Sequence, residues 1–185
     1  MAKRPLKSTK KTAATTAKPA PRTPTRTPGH PCPWDDFTVL VEAVVRWRDL
    51  DSYNHINNSV YLNYFEEGRI AYLYKIAEMA GLKPGIANRF EGFSSTLTKT
   101  EIEYKGQGFL HETLIIATRY TAVRKIFMEA EYAIFVKADQ RLLARGKSVQ
   151  VAVGGEGAAF RPVRVSEKFI EYALRLEGER LVVVR

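Results

Sequence analysis

The chain has 185 residues, 45% hydrophobic and 26% charged, a size and balance that fit one globular domain with an appendage. No apolar run approaches the ~20 residues that a membrane-spanning helix needs, and no signal segment with an apolar middle opens the sequence. The one cysteine, Cys32, excludes an intrachain disulfide and leads us to expect a reducing, cytoplasmic setting.

The formal charge of +9 is unevenly spread. Residues 1–34 carry eight Lys and Arg and no acid, leaving 21 basic against 20 acidic residues elsewhere, or +1 for the domain proper. Residues 1–33 also hold seven of the nine prolines. Such a segment buries too little apolar surface to offset its ordering entropy, so it is expected to be a disordered basic tail ahead of a domain over 34–185. A basic arm can touch nucleic acid, but a solubilising extension is the simpler reading.

Residues 38–46 are rich in β-branched side chains and read as a strand running into an acidic turn that holds Asp49 and Asp51. A proline-free helix is predicted over 58–79, stopping at Ala80-Gly81. Its apolar residues occupy most of its circumference, which predicts an enclosed helix. Four strands follow, over 96–105, 110–121, 125–136 and 142–153. The first shows a charged face (Lys99, Glu101, Glu103, Lys105) and the last a row of small residues (Ala144, Gly146, Ser148, Ala152), as where a backbone closely approaches a helix. A short amphipathic helix capped by Ser166 covers 166–176, and 181–184 reads as an edge strand. One strand, a long helix and a run of strands is an α+β order: an antiparallel sheet of five to six strands wrapped around one central helix.

A carboxylate just ahead of a helix N-terminus suits acyl-transfer chemistry. The carboxylate acts as base or nucleophile, and the free N–H groups at the positive end of the helix dipole receive the developing oxyanion. Asp51 is the first candidate, since an ordinary aspartate is ionised at neutral pH; the alternative is that it only caps the turn. Asp49 is expected to hold the loop by pairing with Arg46 or Arg48. His55, four residues after Asp51, either orients the carboxylate or is an ordinary packed histidine. A calcium loop over 49–60 fails because Asn54 and Val60 stand where Gly and Glu are required. Asp49, Asp51 and His55 match no standard metal-ligand spacing. There is no G-x-S-x-G elbow, P-loop or G-x-G-x-x-G.

The run Asp49-Leu50-Asp51, Asn54-His55, Asn57-Asn58, Tyr61, Tyr64-Phe65-Glu66 and Arg69 resembles the signature of the hotdog-fold acyl-CoA thioesterases. These are relatives of 4-hydroxybenzoyl-CoA thioesterase and of bacterial long-chain acyl-CoA thioesterases. The resemblance implies a hotdog fold, hydrolysis of an acyl-CoA to free acid and CoA, and no metal or redox cofactor. It also implies a homodimer or homotetramer, with sheets joined edge to edge and the site at the subunit interface. Asp51 becomes the catalytic carboxylate, with His55 beside it and the Asn58 backbone N–H as oxyanion donor. Asn57, Tyr61 and Tyr64 are expected along the substrate. Arg145 is expected to hold CoA phosphates, with Arg124, Lys125, Lys147 and Arg161 as other candidates.

Three positions depart from the family pattern: Asn54 where glycine often precedes the histidine, Gly68 where alanine is usual, and His111-Glu112 where many relatives have Gly-Asp. Asn tolerates the left-handed conformation, so the turn is expected to survive its change. Another branch uses a helix glutamate; with Asp51 available, Glu67 is expected to be an ion-pair partner and not the catalytic group. Two other functions fit the same residues: hydrolysis of acyl groups on acyl carrier protein, and non-catalytic binding of acyl thioesters.

Overall fold

Strand β1 (Val39–Val44) leads through a single 3-10 turn (Trp47–Asp49) and a tight loop into helix α1 (Val60–Met79). Strands β2 (Phe93–Tyr104), β3 (Thr113–Arg124), β4 (Phe127–Val136) and β5 (Leu142–Gly154) follow. The computed structural model describes residues 32–82, 93–155 and 161–184, so the expected tail over 1–33 lies outside them except for Cys32 and Pro33. The five strands are antiparallel in the order β1-β3-β4-β5-β2 and pack against α1, the hotdog arrangement expected from the element order and the resemblance.

Two short strands join this sheet among the described residues, one of them the edge strand expected over 181–184. β6 (Arg161–Pro162) pairs with β5, and β7 (Val182–Val184) runs parallel to β3. A two-residue strand is too short for alternation to reveal it. The strand predicted over 110–121 begins and ends three residues later, because residues 105–112 form a loop in which His111 takes a left-handed φ of 66°.

The 20-residue α1 is about 30 Å long. Tyr61, Tyr64, Phe65, Tyr72 and Ile76 recur at helical spacing and are buried against the concave face of the sheet. There they meet Leu114, Ile116 and Tyr120 of β3 and Met128, Ala130, Tyr132 and Ile134 of β4. Phe65 stacks on Tyr132 at 4.8 Å and Tyr72 on Tyr120 at 4.3 Å. Such pairs add about 0.5–1.5 kcal/mol each beyond area burial. The row of small residues on β5 does what its pattern predicts: a Cβ on Gly146 would lie 2.3 Å from the Phe65 ring. The single chain covers only one stripe of the helix, however, and Leu62 and Tyr74 remain exposed.

A second apolar layer lies on the outer face of the sheet. Ile115, Ala117, Ala133 and Phe135 are buried there beneath Trp34 and Phe37, with Trp34 meeting Phe135 edge-on at 5.6 Å. Helix α2 (Glu167–Glu177) closes the domain, its N-terminus capped by Ser166 Oγ accepting the Phe169 N–H at 3.1 Å. The Glu177 side chain is buried and accepts the Tyr120 N–H at 3.1 Å and the Thr38 hydroxyl, at the point where the β3–β4 register shifts.

Gly68 is explained by the approach of α1 to β3: a Cβ there would lie 2.2 Å from Thr118 Oγ1 and 3.1 Å from Ile116. Overpacking costs about 1–3 kcal/mol and outweighs the roughly 1 kcal/mol of helix propensity that alanine brings. Gly68→Ala should therefore lower the denaturation midpoint, and adding Thr118→Ala should recover it.

Candidate active site

The site grows out of the end of β1. Val45 is tied to the start of β3 by its N–H to the Glu112 carbonyl (2.9 Å) and by the His111 N–H to its own carbonyl (3.0 Å). The 3-10 turn then carries Asp49 inward, where it is only 3% exposed. Its carboxylate accepts the Arg46 backbone N–H at 2.8 Å, the Arg46 guanidinium at 3.1 and 3.2 Å, and the Tyr64 hydroxyl at 3.1 Å. Its carbonyl accepts the Asn57 N–H at 2.9 Å. Burial alone would push the Asp49 carboxyl up, but the hydrogen bonds from Arg46 and Tyr64 hold it below the ordinary carboxylate range. Asp49 is thus the loop-holding residue expected, with Arg46 as its partner.

Between Asp49 and α1 the chain folds back on itself. Leu50 bridges Ile56, the Asp51 N–H donates to the His55 carbonyl at 3.0 Å, and the Asn54 N–H donates to the Asp51 carbonyl at 3.1 Å. Asn54 takes a φ of 63°, the left-handed geometry that explains glycine at this place in relatives and that asparagine tolerates. The fold-back sets the Asp51 and His55 side chains across from one another, Oδ2 to Nδ1 at 3.6 Å. The other Asp51 oxygen accepts the Tyr53 N–H at 2.8 Å. Both side chains remain about a quarter exposed, 24% and 26%, unlike Asp49. The imidazole stacks on Tyr53 at 5.9 Å and meets the edge of Phe109 at 6.5 Å.

The helix begins two residues later than expected because Asn57 and Asn58 form its approach. Asn57 Oδ1 accepts both the N–H (3.0 Å) and the hydroxyl (2.8 Å) of Ser59. The Asn58 carbonyl accepts the Tyr104 hydroxyl at 2.9 Å, while its N–H has no hydrogen-bond partner among the described residues. Tyr61 is buried against Tyr104, and burial pushes its hydroxyl up to about 12, so it stays neutral. Tyr64 lies deeper, with its hydroxyl committed to Asp49.

Asp51, His55, Asn57, Asn58 and Tyr61 therefore follow one another from the loop into the first helical turn. Arg145 lies apart from them, exposed on the outer face of β5 opposite Glu103 of β2. Glu66 pairs with Arg69 at 3.1 Å, and Glu67 is exposed. Among the described residues no group of three His, Cys, Asp or Glu side chains is placed to hold a metal ion.

Two residues were not singled out from the sequence for this site, Phe109 and Glu112. Glu112 accepts the Phe109 N–H at 2.8 Å, which turns the loop so that the ring reaches His55. The available signal was the Gly-Asp position occupied by His111-Glu112: a left-handed residue followed by an acid that closes the turn.

A family model for the thioesterase-like superfamily matches residues 45–172, a span that contains every residue named above from Asp49 to Arg145. The chain belongs to the thioesterase-like superfamily. No curated protein matches this member. Among solved structures it is similar to a thioesterase from Thermus thermophilus crystallised with coenzyme A and Zn. The two are 28% identical with a TM-score of 0.62, over 78% of this chain and 98% of the other. A 1,4-dihydroxy-2-naphthoyl-CoA thioesterase from Synechocystis is 17% identical with a TM-score of 0.59, over 75% and 97%. A probable thioesterase from Escherichia coli is 16% identical with a TM-score of 0.60, over 75% and 98%. At these last two identities the likeness is one of fold.

Asp49 gives this superfamily member an acid-sensitive scaffold. Because its folded pKa is depressed, its stabilisation is fully present above the unfolded value of about 3.9 and is lost as pH falls through the folded one. The stability difference between wild type and Asp49→Asn should be constant near neutrality and shrink below about pH 4. Tyr64→Phe should cost about 1.5–3 kcal/mol in denaturant unfolding, the worth of a hydrogen bond to a charged group.

Proposed function

We propose that this protein hydrolyses acyl-CoA thioesters to free acid and CoA, with Asp51 as the essential carboxylate. The observation that carries the reading is the Asp51–His55 pair, part-exposed and immediately ahead of a helix start whose Asn58 N–H is uncommitted among the described residues. Thioester hydrolysis asks little more of a protein. The thiolate is a good leaving group, so one carboxylate to take a proton from water, or to attack the carbonyl itself, is sufficient chemistry. Either route breaks the same C–S bond and ends in carboxylic acid and thiol. The Asn58 N–H and the positive end of α1 receive the oxygen of the tetrahedral intermediate. His55 orients the carboxylate or the water, and Asn57 and Tyr61 border the acyl group.

The working unit in this proposal is a homodimer. Among the described residues β2, 12 residues long, pairs on one side only, with β5, and an open edge of that length ordinarily finds a partner. Its exposed Leu97 and Tyr104, together with Leu62 and Tyr74 of α1, supply the apolar surface. Edge-to-edge pairing would enclose the helix face that the single chain leaves open.

Thiol release over an acyl-CoA panel tests the proposal. Asp51→Asn keeps the acceptor for the Tyr53 N–H, so it should stay folded and lose activity on the order of 10²-fold or more. Undiminished release by that variant would remove Asp51 from the mechanism.

A further inference from the structure

Arg141 is remote from the candidate loop in sequence and has no part in the reaction just described. It stands at the turn between β4 and β5, and its guanidinium serves three acceptors on two segments, its own turn and the loop before β3. Nε donates to the Asp139 carboxylate at 3.2 Å, one Nη to the Gln107 carbonyl and the other to the Glu112 carboxylate. Its Cζ also lies 5.7 Å over the centre of the Phe109 ring. Gln107, Phe109 and Glu112 all belong to the loop before β3, whose Gly108 carbonyl accepts the Ile56 N–H at 2.9 Å. That loop is therefore fastened to Arg141 on one side and to the Asp51–His55 fold-back on the other.

His55 needs such a fastening. Its one polar side-chain neighbour among the described residues is Asp51 at 3.6 Å, longer than a hydrogen bond, so ring contacts with Tyr53 and Phe109 set the plane of the imidazole. Tyr53 is 78% exposed and makes a loose wall. Phe109, also on the surface at 42%, contacts both a guanidinium and an imidazole, and its own N–H is bound by the carboxylate that Arg141 holds. We infer that Arg141 is a positioning residue that keeps His55 facing Asp51 through the Phe109 ring. The planar fork of arginine is required, because lysine offers one compact charge and cannot serve three acceptors while lying over a ring.

The kinetic part of the test rests on the proposed hydrolysis; the spectroscopic part does not. The sequence has three histidines, His30, His55 and His111, so the His55 ring resonances are assignable by comparison with His55→Gln. Arg141→Met and Phe109→Leu should each shift those resonances, as ring contact and orientation change. Lys137→Met, which removes an ion pair with Glu42 at the same turn, should not. In thiol release, both variants should lower kcat about tenfold with KM little changed, and the double variant should be no worse than the poorer single one. Arg141→Lys should recover only part of the loss. Unmoved His55 resonances in Arg141→Met, or additive losses in the double variant, would overturn the inference. If Arg141→Met does not fold, Phe109→Leu and Glu112→Gln carry the same comparison. If the wild type releases no thiol from any acyl-CoA, the functional reading fails and the resonances alone decide the clamp.

Discussion

A single buried carboxylate joins the parts of this molecule that matter. Asp49 receives its own turn through Arg46, the helix through Tyr64 and the end of the loop through its carbonyl. A charge removed from water is costly unless every lone pair finds a donor, and here four donors converge on two oxygens. The geometry between Arg46 and Asn57 is therefore over-determined. Asp51, two residues on, inherits a fixed backbone position and commits only one carboxylate oxygen, to the Tyr53 N–H. The pair of aspartates divides the labour: one is buried and saturated, the other is part-exposed and has an oxygen to offer.

The helix makes the same division along its length. At its start Ser59 makes no side-chain cap, and the Val60 and Leu62 N–H groups donate to the Asn57 and Ser59 carbonyls. The next turns supply the anchorage instead: Tyr61, Tyr64, Phe65, Tyr72 and Ile76 are packed into the sheet, with Gly68 letting the backbone approach β3. An uncapped start is tolerable because tertiary packing, not local hydrogen bonding, holds the helix.

Much of this was legible in the sequence, and the reasons are physical. The order of elements followed from hydrophobic period, and the close approach at β5 from four small residues at alternate positions. Asn54 could be read as left-handed because few residues occupy that region willingly. The loop before β3 was not legible. Alternation carries the strand through His111 despite the hint that glycine is usual there, and Phe109 and Arg141 come together only through sheet pairing across some thirty residues of chain. The outer apolar layer escaped for a related reason. Ile115 and Ala117 stand among residues apolar on both faces, and nothing local says that Trp34 and Phe37 return to cover them.

The 3.6 Å between Asp51 and His55 is informative because it is not a hydrogen bond. A tight bond would orient the carboxylate but also occupy the oxygen that, in the proposed hydrolysis, takes a proton or attacks a carbonyl. With Oδ1 held by the Tyr53 N–H, the side chain is already oriented, and Oδ2 is left directed past the imidazole. In the proposed reaction a water or thioester carbon fits beside that oxygen, and catalytic contacts commonly tighten only when substrate is bound. The ring then needs to be held by something other than its polar neighbour. A surface phenylalanine gripped by an arginine meets that requirement without placing another charge next to the reacting oxygen, which a direct ion pair to Asp51 would do.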